Sequence, residues 1–150
     1  MNLYRLIYSS HANPDLGLAD LKNIMESSIK NNQTDGITGL LCHADGMFLQ
    51  VLEGYQDKVN QTYHRIVQDS RHHTPMLISC EPITTRAFEI WSMQAIRLTD
   101  LNKEQVKTLT LRHSGSAIFQ PNRMNPRQAL AFMKDIGILF QVSDDIILDL

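Results

Sequence analysis

The sequence lacks most of the marks of common specialised classes. No stretch approaches the ~18 consecutive apolar residues that a bilayer-spanning helix needs, so no membrane contact is expected. No lysine–arginine cluster stands out, and 14 basic against 16 acidic side chains leave a net charge of −2, which makes nucleic acid and anionic lipid poor partners. The opening "MNLYRLIYSS" lacks the charged start and apolar run of a signal peptide, so a cytoplasmic protein is expected. The only cysteines, Cys42 and Cys80, lie in separate strand-like runs. They read as buried free thiols in a reducing compartment, with a disulfide left open.

Catalytic and metal-binding signatures are also missing. No nicotinamide-type Gly-rich motif appears, and no constellation of catalytic side chains supports an enzyme. His72 and His73, read as continuing a helix, face different ways and make a poor metal pair, while His11, His43, His64 and His113 have no ligand spacing. No metal is expected.

What is present is an ordinary globular chain of 150 residues, 43% hydrophobic and 20% charged. That is enough for one domain with a core plus a short extension. A strand at 3–10 leads through a turn containing Asn13-Pro14-Asp15 to a helix at 18–32, with Leu21, Ile24, Met25 and Ser28 on one stripe. Residues 36–54 hold two strands joined at Ala44-Asp45-Gly46, where Asp-Gly signals a hairpin. A second helix at 57–70 carries Val59, Tyr63, Ile66 and Val67, and strands follow at 76–83 and 91–98. The order βαββαβ plus one strand predicts an α+β, ferredoxin-like sheet with two helices on one face. Two further helices are expected at 101–114 and 125–141, the latter with Asn125 as N-cap and Pro126 in its first turn. They are too short for a domain and should pack on the open sheet face or form an interface.

Polar residues on inward faces do not fit a plain core. In "GMFLQVLEG" (46–54), Phe48, Gln50 and Leu52 share one side of a strand, so the Gln50 amide needs a partner. Tyr8, on the face of Tyr4 and Leu6, is a sensible one from a neighbouring strand. The first helix's inward stripe turns polar at Ser28, Asn31 and Asn32, though the asparagines also suit a helix end. Arg65 and Asp69 have the spacing of a solvated i,i+4 ion pair, or else Arg65 lies at a pocket mouth and meets phosphate. Trp91 and Met93 share a face of the last strand, a pairing typical of core.

Taken together, "LYRLIYSS", "NN…DGITGLL", "FLQVLEG", "RI…D.RHH" and "WSM", in this order and spacing, resemble the BLUF family of flavin-using blue-light sensors. The extension ending "DDIILDL" is similar to that of short stand-alone members of the PixD type, which regulate phototaxis. The resemblance implies a flavin-binding domain over 1–98 and a helical output or oligomerisation extension over 99–150. It implies a non-covalently bound flavin, FAD with FMN possible. Tyr8 becomes the light-driven electron donor, and Gln50 the switching amide between tyrosine and flavin. Asn32 and Asn31 would bond the ring edge, Arg65 with Asp69 would meet the ribityl–phosphate part, and Ile24, Ser28 and Ile66 would line the ring. Trp91 and Met93 belong to the family's light-responsive last strand. A ring-like homo-oligomer with a response-regulator-like partner is implied, and the alternative is a small flavin-dependent or other enzyme on the same fold.

Overall fold

The computed structural model describes residues 2–89 and 94–148. Its elements are β1 (Leu3–Ala12), α1 (Leu18–Thr34), β2 (Thr38–Ala44), β3 (Met47–Tyr55), α2 (Gln56–Val67), β4 (His72–Ile83), β5 (Gln94–Arg97), α3 (Lys103–Ser114) and α4 (Pro126–Leu148). Single 3₁₀ turns occupy Leu98–Asp100 and Pro121–Arg123. The five strands form one sheet in the order β4-β1-β3-β2-β5, antiparallel except for the parallel β2–β5 pair. This is the α+β, ferredoxin-like arrangement expected, with β5 added at an edge. Among the described residues no helix is long and apolar enough to cross a membrane.

The sheet follows from local chemistry. Asp45 and Gly46 both take positive φ, 50° and 73°, the geometry of a two-residue hairpin turn, which glycine adopts freely and aspartate tolerates. β3 alternates cleanly between faces. Phe48 and Leu52 join Leu6, Tyr8, Leu21, Met25 and Val59 under α1 and α2. Leu49 and Val51 join Phe132, Met133 and Ile136 of α4 in a second core on the opposite face. Both faces are therefore covered, and the C-terminal helices occupy the sheet face left open by α1 and α2. Gly54 stands near the end of β3, where a Cβ would lie 2.8 Å from Ile37 Cδ1, so only a bare backbone fits without displacement.

Several boundaries differ from the sequence expectation for physical reasons. The second helix stops at Val67 rather than 70, where the Asp69 carboxylate accepts from the backbone N–H of Arg71 and so competes with helix continuation. His72 and His73 then lie on β4, not on a helix. β4 begins at His72, not 76, because Pro75 sits in an edge strand at a register shift where Thr74 has φ +52°. α4 runs past 141 to Leu148, and its start is as expected: Asn125 Oδ1 accepts from Gln128 N–H while Gln128 Oε1 accepts from Asn125 N–H. Both cysteines are free, but only Cys42 is buried; Cys80 is exposed because β4 is an edge strand with a solvent-facing side. Trp91 and Met93 lie outside the described residues, so β5 is defined only from Gln94.

Candidate functional site

A cleft of about 120 Å³ opens between α1, α2 and the sheet. Its floor is set by strand pairing: Tyr8 on β1 and Leu41 on β2 are the direct neighbours of Gln50 on the central β3. Tyr8 and Gln50 are 3% and 1% exposed, so the phenol and amide meet out of water. Tyr8 Oη donates to Gln50 Oε1 at 2.5 Å, and Gln50 Nε2 donates to Ser28 Oγ at 3.2 Å. Burial, assisted by Tyr63 and Asp69, pushes the Tyr8 hydroxyl well above the ordinary phenol range, so it remains a proton-bearing donor.

α1 supplies one wall. Leu21, Met25, Ser28 and Asn32 follow helical spacing down a single stripe, which changes from apolar to polar toward its C-terminal end. Asn32 Nδ2 donates to Ser28 Oγ at 3.1 Å, joining it to the Tyr8–Gln50 chain. Asn32 Oδ1 is buried with no partner among the described residues. Ile24, Ser27 and the exposed Asn31 complete this wall.

α2 supplies the other wall through Thr62, Arg65, Ile66 and Asp69, again one helical stripe running on into the turn. The i,i+4 pair expected between Arg65 and Asp69 is not formed. Arg65 Nη2 instead reaches Asp35 Oδ2 at 3.3 Å, just past the end of α1, with the arginine side chain 53% exposed. Asp69 is taken by Arg71, whose Nε and Nη2 donate to its two carboxylate oxygens at 3.0 and 2.7 Å. These bonds hold the Asp69 carboxyl below its ordinary range despite partial burial. Arg71 Nη1 also donates to Asn23 Oδ1 on α1 at 2.9 Å, tying the two walls together. His72 Nε2 donates to the Ile66 carbonyl at 2.6 Å and stands edge-on to Phe48.

Nine residues singled out from the sequence thus line one cleft: Tyr8, Ile24, Ser28, Asn31, Asn32, Gln50, Arg65, Ile66 and Asp69. Sequence reasoning did not assign Ser27, Leu41, Phe48, Thr62, Arg71 or His72 to it. Thr62 was reachable by stepping one turn back from Arg65 and Ile66, and Arg71 and His72 stand in the "RHH" run. Among the described residues no group of three or more His, Cys, Asp or Glu is placed to hold a metal ion.

The pattern defining the family described as "BLUF: Sensors of blue-light using FAD" matches residues 3–94. The chain belongs to the BLUF family. Its fold is shared with BlsA in the photo-activated state, at 30% identity and TM-score 0.78, over 90% of this chain and 94% of that one. The photoactivated adenylate cyclase subunit beta of Euglena gracilis is 37% identical over 86 residues, which is 57% of this chain and 10% of that protein. The chain therefore spans about a tenth of the length of that curated relative. The Klebsiella pneumoniae BlrP1 structure with FMN and cyclic diGMP is 28% identical, covering 68% of this chain and 27% of that one, with TM-score 0.62. BLUF domains are flavin-binding photosensors, with FAD in the family description and FMN in that BlrP1 structure. The cleft fits a flavin on its own chemistry: Ile24, Leu41, Phe48 and Ile66 give it apolar lining, and the Asn32 carbonyl oxygen, buried with no partner among the described residues, calls for an N–H donor.

Proposed function

We propose that the chain is a blue-light photoreceptor whose switch is the Tyr8–Gln50 pair. The observation that supports this most strongly is the hydrogen-bond chain in which the Gln50 amide lies between two hydroxyls, Tyr8 Oη and Ser28 Oγ. A bound flavin supplies blue-light absorption and, once excited, an acceptor for one electron. Tyr8 gives up the electron and passes its hydroxyl proton along the bond to Gln50; both return, and the amide is left rotated or tautomerised. After rotation Nε2 faces Tyr8 and Oε1 faces Ser28. A hydroxyl both donates and accepts, so each of these two partners can exchange roles with the amide. That is the property a two-state element needs.

In this reading Asn31 and Asn32 hold the ring edge, Ile24, Ser28 and Ile66 line the ring, and Arg65 and Asp69 sit toward the ribityl–phosphate part. FAD is the favoured cofactor and FMN an acceptable one. The output runs through Trp91, Met93 and the strand that follows them to the 99–150 extension. A row of paired residues supports that route: Gln50 lies beside Leu41, and Leu41 beside Ala95 of β5. Leu98, immediately after β5, packs in the same core as Phe132 and Met133 of α4. Ile118, Ile138 and Val142 leave apolar surface exposed on the extension, suited to a ring-like homo-oligomer and a response-regulator-like partner. Cytoplasmic, phototaxis-type signalling is the role this organisation suits.

The test is an absorption spectrum of the purified protein before and after blue light, then in darkness. Flavin bands that shift to the red and return without substrate are expected. A colourless protein that takes up no added flavin contradicts the reading, and substrate-dependent flavin turnover favours an oxidoreductase instead.

A further inference from the structure

We propose that Thr62 is a further flavin-contacting residue, its hydroxyl hydrogen-bonding the ring end of the cofactor. The inference rests on the flavin reading of the cleft. Thr62 is 2% exposed, lines the cleft from α2, and its Oγ1 has no hydrogen-bond partner among the described residues. An unpaired buried hydroxyl is costly, and a helical threonine has an easy remedy: the carbonyl four residues back. Three other helical threonines of this chain use it. Thr34 donates to Lys30 O at 3.3 Å, Thr108 to Glu104 O at 2.9 Å and Thr110 to Val106 O at 2.7 Å. Thr62 forgoes the corresponding bond.

A second orphan lines the same cleft from the other helix. Asn32 Oδ1 on α1 is likewise buried and unpartnered. Thr62 stands about two turns before Asp69 along α2, and Asn32 more than two turns after Asn23 along α1, so both lie away from the Arg71–Asp69–Asn23 tie. Two unmet polar atoms, one from each wall and at one end, suit the donor and acceptor atoms on the edge of a flavin heterocycle.

Flavin-free parent, Thr62→Val and Thr62→Ser are titrated with riboflavin and with FAD by fluorescence quenching, and melted without flavin. Valine keeps the shape and removes the hydroxyl; serine keeps the hydroxyl. Thr62→Val should bind both flavins about three- to tenfold more weakly, the worth of one hydrogen bond. Thr62→Ser should stay within about twofold of the parent, and flavin-free Thr62→Val should melt at or above the parent because an orphan has been removed. Thr62→Val affinity within twofold of the parent overturns the proposal, as does an equal loss in Thr62→Ser. A lower flavin-free melting point assigns the hydroxyl to the fold, and a loss seen with FAD alone places it away from the ring; both overturn it. Failure of the parent to bind either flavin is a separate result and contradicts the flavin reading itself.

Discussion

Gln50 and Glu53 stand three residues apart on β3, on opposite faces of the sheet, and both are almost fully buried. Their partners differ in kind. Glu53 accepts from Arg5 Nε at 2.8 Å, Phe88 N at 2.8 Å and Ala87 N at 3.1 Å, all groups that can only donate. Arg86 reinforces the tie by donating to the Gly36 and Glu53 carbonyls at 2.9 and 3.2 Å. That carboxylate has one satisfactory arrangement, and it pins the segment at Ala87–Phe88 to β3. Gln50 is flanked by hydroxyls that can reverse. One strand thus carries a carboxylate held by donors alone on one face and an amide bonded to hydroxyls on the other; in the proposed photoreceptor the amide would rearrange there without loosening the sheet.

The contrast can be broken by substitution. Glu53→Ala strands the Arg5 guanidinium and two backbone N–H groups, and should cost about 3–5 kcal/mol in denaturant unfolding while the folded fraction keeps its light response. A small cost would mean that Glu53 is no anchor. Asn32→Ala, on the adjustable face, should weaken flavin binding about tenfold, the equivalent of ~1.4 kcal/mol, measured by titration. Unchanged affinity would remove Asn32 from the ring edge. Tyr8→Phe should retain flavin, lose about 1 kcal/mol of stability and give no red shift on illumination. A normal photocycle there would end the donor assignment.

The smallest effect concerns pH. The Asp69 carboxyl is held below its ordinary value of 3.8, chiefly by Arg71, so its contribution is present above that value and lost as pH falls through the lower folded one. The pair is about one-third exposed, which limits the contribution to below ~1 kcal/mol. Unfolding of the parent and Asp69→Asn should differ slightly at pH 7 and converge in acid; a difference that widens in acid would contradict this.

Much of this organisation was legible in the sequence because it is local. Period-two alternation placed Phe48, Gln50 and Leu52 on one face, Asp45-Gly46 announced the hairpin, and helical spacing put Ser28 and Asn32 below Leu21 and Met25. What escaped depends on distant chain. Arg65 chose Asp35 over Asp69 because the end of α1 comes to it, and Asp69 was captured by an arginine from the following turn. The role of Glu53 needed Arg5 and the Ala87–Phe88 amides, which no spacing rule joins. Pro75 hid the start of β4, since tolerance of proline depends on the strand lying at an edge.

The most direct test of the switch is the light-minus-dark absorption spectrum of Gln50→Leu beside the parent, both loaded with flavin. Leucine fills similar space but cannot reverse a hydrogen bond, so the parent should shift to the red while the variant binds flavin and shows no shift. A red shift of parental size that recovers in darkness in Gln50→Leu would contradict the account.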